Sequence, residues 1–99
     1  MKALFYTREY PPYVYGGAGV HVEYLAAELA KLIEIEVRCF GDQNDQSNNL
    51  TVKGFPFENP AFDAADDKLK SVFKTLSTCL QMNADVIDAD VVHCHTWYA

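Results

Sequence analysis

The sequence has little cysteine, and its cysteines follow no recognisable pattern. Cys39, Cys79 and Cys94 are odd in number and far apart in the chain, whereas disulfide frameworks and cysteine zinc sites use paired cysteines at short, regular spacings. This spacing argues against both kinds of site. It predicts reduced thiols in a cytoplasmic protein.

Long hydrophobic runs and an excess of positive charge are also missing. No run approaches the roughly 18 apolar residues that a bilayer-spanning helix needs, and the apolar start is interrupted at Thr7 and Arg8, before a signal peptide's apolar region would be complete. The net charge is −6, which argues against binding to the phosphate backbone of nucleic acid. We therefore expect neither a membrane nor a nucleic acid as a partner.

What the sequence does contain is hydrophobic periodicity that alternates between strand and helix. The predicted strands cover residues 2–7, 35–40, 50–55 and 90–95, and the predicted helices run from Gly17 to about Leu32 and from Asp63 or Asp66 to about Ile87. The polar stretch 42–49 is predicted to be a mobile loop.

Both helices have apolar side chains at helical spacing, which predicts one core-facing side on each. On the first helix these residues are Ala18, Val22, Leu25, Leu29 and Leu32, and on the second they are Leu69, Val72, Phe73, Leu76, Leu80, Asn83 and Ile87. Lys68, Lys70 and Lys74 are predicted to be solvated charges on the outer side.

This alternation predicts an α/β fold, with a Rossmann-like parallel sheet and flanking helices. Right-handed crossovers place the four predicted strands in the order 3-2-1-4. In such a sheet, ligands bind at the carboxyl ends of the strands, where the chain changes direction between strands 1 and 4. The glycine-rich segment after strand 1 and the segment "HCHTWYA" should therefore line one crevice.

The glycine-rich segment is Gly16-Gly17-Ala18-Gly19, at the start of the first helix. Glycines there allow a phosphate to approach the free amides of the helix N-terminus, although they could also form a simple turn. The segment matches part of a dinucleotide fingerprint, with Asp42 near the position of the ribose-binding acid, but Val22 stands where the third glycine would be.

The histidines after the last strand form a second group. His93 and His95 alternate along a strand, so their rings should point to one side and Cys94 to the other. No third ligand is apparent nearby, so we expect no metal. A neutral histidine here has one of two roles. It forms a hydrogen bond within the half-buried end of the strand, or it donates a hydrogen bond to a sugar. We expect four residues to contact the sugar or the acceptor. They are His93, the flat aromatic side chains of Trp97 and Tyr98, and His21, which lies near the glycines.

The segments "EYPPYVYGGAGVHVEYLAAELAKL" and "ADVVHCHTWYA" resemble the amino-terminal domain of bacterial glycogen synthases and related retaining glycosyltransferases of the two-domain GT-B fold. "REYPP", "YGGAGVHVE" and "HTWYA" occur together in the glycogen synthase or maltose-1-phosphate synthase branch. Tyr15 and Tyr98 stand where the starch-synthase-like branch has lysine and histidine.

The resemblance implies an enzyme that transfers glucose from ADP-glucose or UDP-glucose to an α-glucan such as glycogen, or to glucose 1-phosphate, with retention and without a cofactor. It implies that Gly16 and Gly17 lie beside the donor diphosphate. It also implies that His95 is the catalytic contact to the transferred sugar or acceptor.

By the same resemblance, residues 1–99 are part of an acceptor-side amino-terminal domain, and the carboxy-terminal nucleotide-sugar domain is absent. We expect this piece to be inactive alone and, with uncovered helix faces, to self-associate or bind a partner chain. Two alternatives remain from the residues themselves, a dinucleotide-binding oxidoreductase domain and a non-catalytic sugar or nucleotide-binding module. Titration with NAD and with ADP would separate the oxidoreductase from the other readings.

Overall fold

A computed structural model describes residues 1–56 and 66–98 of the chain. The elements in chain order are β1 (Lys2–Tyr6), α1 (Gly17–Leu29), β2 (Glu34–Phe40), β3 (Asn44–Ser47), β4 (Leu50–Phe55), α2 (Asp67–Ala84) and β5 (Val91–Cys94). The strands form a five-stranded sheet in the order β3-β4-β2-β1-β5. The predicted α/β fold is confirmed.

The four predicted strands correspond to β1, β2, β4 and β5, and they pair as expected. β1 lies parallel to both β2 and β5, and β2 lies parallel to β4. In this register Phe5 is flanked by Val37 on one side and His93 on the other. The predicted order 3-2-1-4 is therefore present within the larger sheet.

One strand was not predicted. The polar stretch expected to be a mobile loop contains β3, which pairs antiparallel with β4 and makes the sheet mixed rather than wholly parallel. Asn49, in the turn between them, has a positive φ of 57°, which asparagine tolerates better than most residues. The backbone groups at the edge of β4 need partners, and pairing with β3 outweighs the low strand propensity of its polar residues.

Helix α1 covers one face of the sheet, which we call the α1 face. Val22 and Ala26 are buried against Phe5 and Val37 in an apolar core. The helix ends at Leu29, earlier than predicted, and Leu32 is 80% exposed instead of core-facing. The prediction of a core-facing stripe is correct for the middle of the helix and wrong at its end, where the chain turns toward β2.

Helix α2 covers the opposite face, which we call the α2 face. The helical spacing of its apolar residues is as predicted, but the prediction that this stripe faces the core is wrong. Leu69, Val72, Leu76 and Leu80 are exposed by 47 to 71%. The buried residues of the helix are Ser77, Thr78, Cys79 and Met82. Among the described residues no element covers the apolar stripe, so it points outward.

One of the three predicted outer lysines of α2 needs correction. Lys68 and Lys74 are exposed as expected, whereas Lys70 is half-buried; Lys70 and Lys74 both line a cavity between the helix and the sheet. The helix begins with Asp66 as its cap, whose carboxylate accepts a hydrogen bond from the Lys68 amide at 2.9 Å. Asp63, the other predicted cap, lies outside the described residues.

A buried arginine fastens the carboxyl end of α2 to the sheet. Arg38 on β2 is 1% exposed, and its Nε lies 2.6 Å from the Glu36 carboxylate. Its guanidinium also donates to the carbonyls of Met82, Asp85 and Val86. These carbonyls lack partners within the helix, and the helix dipole makes them attractive to a cation. Arg38 therefore takes the place of a basic residue in the last helical turn, where there is none.

The three cysteines are free thiols, and Cys39 and Cys79 are buried. Burial raises the pKa of Cys39 to about 12, so this thiol stays protonated and unreactive. Among the described residues, neither helix is both long and apolar enough to cross a bilayer.

Candidate active site at the carboxyl ends of the strands

The N-terminus of α1 is open to solvent. Gly16 is the N-cap, with an extended backbone, and as a glycine it has no side chain of its own to cap the helix. A Cβ built at Gly16 or Gly17 would meet no atom within 4 Å. The amides of this first turn have no intrahelical acceptors and carry partial positive charge, so a phosphate has both room and donors here.

A carboxylate from the loop before the helix takes one of these amides. Glu9 accepts hydrogen bonds from the amide of Tyr15 at 2.9 Å and from the amide of Gly19 at 3.1 Å. It thus caps the helix from outside and fixes the loop between β1 and α1, while the amides of Gly17 and Ala18 remain for a ligand. Sequence spacing does not reveal this contact, because Glu9 is ten residues from the amide that it caps.

The contact also explains the third glycine of the segment. A Cβ at Gly19 would lie 2.9 Å from the Glu9 Cβ and 3.0 Å from the Val14 Cγ1. Gly19 is therefore required by packing, whereas Gly16 and Gly17 face open space. Within the glycine-rich segment, Gly16 and Gly17 thus leave the helix N-terminus open, and Gly19 allows close packing against Glu9 and Val14.

The histidines lie together on the α1 face, as predicted. The ring centroids of His93 and His95 are 4.0 Å apart, and the Phe5 ring lies 4.9 Å from that of His95. The His95 amide donates to the Tyr6 carbonyl at 2.7 Å, which extends the pairing of β5 with β1 by one residue. This backbone bond holds the His95 side chain at the carboxyl end of β1.

His21 connects the histidines to the glycine end of α1. Its ring centroid is 6.1 Å from that of His95, and it lies one turn after Gly17 on the same helix. The open helix end and the histidine group therefore lie on the same face and at the same end of the sheet. Their roles toward a ligand remain predictions.

The environment of His95 keeps its imidazole neutral at physiological pH. Burial lowers the pKa of His95 to about 4, with smaller contributions from the nearby His93 and His21. Its Nε2 is buried and has no hydrogen-bond partner among the described residues. A buried polar atom of this kind normally finds a partner, so Nε2 is an unsatisfied hydrogen-bonding atom within the histidine group.

The two aromatic candidates are placed differently from the histidines. Trp97 is 94% exposed, and its ring is nearly perpendicular to that of Tyr98, with centroids 5.2 Å apart. The Tyr98 hydroxyl accepts a hydrogen bond from Arg8 at 3.4 Å, and its ring lies 6.3 Å from that of Phe40. Tyr98 is thus beside residues of the α2 face, apart from the histidines.

The histidine pair does not extend to a larger ligand set. In the part of the chain that the structure describes, no group of three or more His, Cys, Asp or Glu side chains is placed to hold a metal ion. Both rings make edge contacts with the ring of Phe5.

Comparison with known proteins decides the class of protein. A family model described as Glycosyltransferase Family 4 matches residues 15–99. This chain belongs to that glycosyltransferase family. The match includes the glycine-rich segment and all the candidate histidines, and it favours a glycosyltransferase over a dinucleotide-binding oxidoreductase.

Individual relatives agree with this membership. The chain is 41% identical over 98 residues to alpha-maltose-1-phosphate synthase of Mycolicibacterium smegmatis. It is 40% identical over 99 residues to alpha-maltose-1-phosphate synthase of Mycobacterium tuberculosis. Each alignment covers 99% of this chain and 23% of the relative. The chain therefore spans about a quarter of the length of these relatives, and the resemblance to GT-B glycosyltransferases is confirmed.

Proposed function

We propose that this chain forms the acceptor-side part of a retaining glucosyltransferase that uses ADP-glucose or UDP-glucose. The observation that carries the proposal is the open N-terminus of α1, which shares one face and one end of the sheet with His95. Both features lie within the residues that match the glycosyltransferase family. In this proposal the donor diphosphate lies at the helix end and the transferred glucose lies toward the histidines.

The helix end stabilises the departing diphosphate. The amides of Gly17 and Ala18 point outward from the first turn, and the helix dipole adds partial positive charge. Because Gly17 has no Cβ, phosphate oxygens reach hydrogen-bond distance without obstruction. As the bond to the sugar breaks, negative charge grows on the diphosphate, and donors that are already oriented lower the barrier.

His95 contacts the transferred sugar or the acceptor. Its neutral imidazole has a buried, unpartnered Nε2, which forms a hydrogen bond to a sugar hydroxyl without placing a second positive charge beside the oxocarbenium-like sugar. His93 and His21 hold this ring in place and favour its neutral form. The exposed indole of Trp97 offers a flat surface on which a sugar ring stacks.

The relatives suggest what the acceptor is. They are named for α-maltose 1-phosphate, which consists of a glucose unit joined to glucose 1-phosphate. We extend this chemistry to the present chain, with glucose 1-phosphate as the acceptor and an α-glucan such as glycogen as the alternative acceptor.

The test uses the complete protein that contains this chain. It is incubated with ADP-glucose or UDP-glucose and with glucose 1-phosphate or glycogen, and the products are identified by NMR through the configuration of the new glycosidic bond. We expect an α-linked product. A β-linked product would overturn retention, and no transfer from either donor would overturn the proposed reaction.

A parallel incubation uses the 99-residue chain alone. Transfer requires a donor that is held from both sides in a closed cleft, and these residues supply one wall of it. We expect no turnover above the blank. Turnover by the isolated chain would place the whole catalytic machinery within these residues and contradict the proposed division between two domains.

A further inference from the structure

Glu9 bonds to the backbone on both sides of the open glycines. Its Oε1 accepts a hydrogen bond from the Tyr15 amide at 2.9 Å, and its Oε2 accepts one from the Gly19 amide at 3.1 Å. Gly16 and Gly17 lie between these two amides in the chain. One half-buried carboxylate therefore fixes both ends of the short segment whose amides are proposed to hold the donor diphosphate.

This cap comes from an unusual position. A helix N-terminus is ordinarily capped by Ser, Thr, Asp or Asn at the N-cap itself, whose side-chain oxygen accepts a hydrogen bond from an amide of the first turn. Here the N-cap is Gly16, and the oxygen comes from Glu9 in the loop before the helix. The first turn thus has an acceptor although the N-cap has no side chain.

Packing does not require glycine at the N-cap. A Cβ built at Gly16 would meet no atom within 4 Å, and its φ of −165° is extended backbone that any residue adopts. A Cβ at Gly19, in contrast, would lie 2.9 Å from the Glu9 Cβ. The capping side chain therefore lies beside Gly19 and away from the first two glycines. The helix is capped while the amides of Gly17 and Ala18 stay accessible.

The loop that carries Glu9 is itself fastened to a neighbouring loop. The Gln43 side-chain amide donates to the Tyr10 carbonyl at 2.9 Å, and the Tyr13 hydroxyl donates to the Asp42 carboxylate at 2.7 Å. The Tyr13 amide also donates to the Tyr10 carbonyl at 3.0 Å. The turn after Glu9 is thus anchored to the loop that follows β2, and the carboxylate is presented from a fixed position.

The charge of Glu9 and its hydrogen bonds have opposite effects on a bound diphosphate. Like charges repel, so removal of the carboxylate would strengthen diphosphate binding if its charge were all that mattered. The two hydrogen bonds favour binding, because amides that are already oriented lose little conformational freedom when the ligand arrives. The direction of the change after removal of Glu9 therefore separates the two effects.

We propose that Glu9 is a positioning residue for the donor diphosphate, which caps α1 from the side and orients the amides of Gly17 and Ala18. Because Glu9 takes the amide of Gly19, the two amides before it are the ones that phosphate oxygens reach. This role rests on the proposed function, since the diphosphate position is the one described there. Glu9 acts through the backbone of the glycine-rich segment rather than by contact with the sugar.

The test measures binding of inorganic pyrophosphate, ADP and UDP to the complete protein by calorimetry, with glucosyl transfer assayed in parallel. We expect Glu9→Ala to weaken binding of pyrophosphate about tenfold. It should also raise the KM for the sugar nucleotide and leave the KM for the acceptor unchanged. Glu28→Ala, which removes an exposed carboxylate near the other end of α1, is the matched control and should bind normally.

A double variant separates positioning from simple capping. Glu9→Ala alone should lower the Tm, because the Gly19 amide loses its acceptor. Gly16→Ser adds a hydroxyl at the N-cap that restores the cap but does not replace the bond to the Tyr15 amide. In the double variant we expect the Tm to recover and pyrophosphate binding to stay weaker than in Gly16→Ser alone, which controls for the added hydroxyl. The double variant also carries the comparison if Glu9→Ala alone fails to fold.

Four results would overturn the inference. These are no binding of pyrophosphate to the wild-type protein, unchanged or tighter binding in Glu9→Ala, recovery of binding together with the Tm in the double variant, and equal weakening in Glu28→Ala. Failure of the proposed function has a different signature. The wild-type protein would then bind pyrophosphate in a manner that depends on Glu9, and it would transfer glucose from neither donor.

Discussion

The two faces of the sheet hold their helices by different balances of apolar packing and polar contacts. On the α1 face, an apolar core that includes Phe5, Val22 and Val37 packs the helix tightly against the strands. On the α2 face, the helix contacts a smaller apolar cluster of Leu4, Tyr6 and Met82 and is also fastened through the buried guanidinium of Arg38, and an open cavity remains beside its first half. Apolar packing therefore dominates on one face, whereas the other combines a small apolar cluster with polar anchoring.

The largest expected effect comes from breaking the anchor of the α2 face. Arg38→Met removes the nearer of the two cations that pair with the buried Glu36 carboxylate, leaving Lys2 at 3.4 Å, and it removes the donors to the carbonyls at the end of α2. We expect the free energy of unfolding to fall by about 3–5 kcal/mol, as measured by urea denaturation.

The matched control is an exposed ion pair on the α1 face. Lys31 lies 3.1 Å from the Glu28 carboxylate, and both side chains are 69% exposed. Lys31→Met should change the free energy of unfolding by about 1 kcal/mol or less. If the free energy of unfolding falls by a similar small amount in both variants, the Arg38 guanidinium does not anchor the helix as described.

Breaking the α1 face should affect turnover more than stability. Gly17→Val places a side chain in the open space at the helix N-terminus and blocks the approach of a diphosphate to the amides. We expect kcat/KM of the complete enzyme to fall about a hundredfold, equivalent to about 3 kcal/mol, with a nearly unchanged Tm.

Gly19→Val provides the contrast within the same segment. Its Cβ would meet Glu9 at 2.9 Å, so this variant should lose thermal stability. Normal turnover in Gly17→Val would mean that the open glycines form only a turn.

The titration of His95 tests whether its imidazole is buried on the α1 face. The folded-state pKa of about 4 lies below the ordinary 6.5, so the unfolded chain takes up this proton first. The stability contributed by neutral His95 is complete above pH 6.5 and is lost as the pH falls from 6.5 through about 4. An NMR titration of the imidazole protons, assigned with His95→Gln, should show this low pKa. Titration near 6.5 would contradict the buried environment.

The smallest expected effect concerns the outward stripe of α2. Leu76 and Leu80 are 49% and 71% exposed, and such a stripe favours association. We expect the isolated chain to self-associate weakly in sedimentation experiments, and Leu76→Lys combined with Leu80→Lys to reduce this. Tyr24→Lys removes a 66% exposed side chain from α1 and should leave association unchanged. Association that survives the double change would locate the contact elsewhere.

The candidate site was predictable where local spacing decides the geometry. The alternation of His93 and His95 along a strand predicts that their rings share a side, and the structure places the centroids 4.0 Å apart. The cap that Glu9 provides to Gly19 was not predictable, because it depends on how a long loop folds back onto the helix. The position of Tyr98 beside Arg8 likewise depends on a contact between residues 90 positions apart.

By itself the sequence determined the periodicity of the elements, the parallel order of the four predicted strands and the location of the glycine-rich turn. These features follow from backbone geometry and from the residues next to one another in the chain. Tertiary structure alone decided that β3 pairs with β4, that Arg38 anchors α2, and that Lys70 and Lys74 face a cavity while Leu76 and Leu80 face outward. A helical repeat specifies that one side differs from the other, but which side is buried depends on the surface that the helix meets.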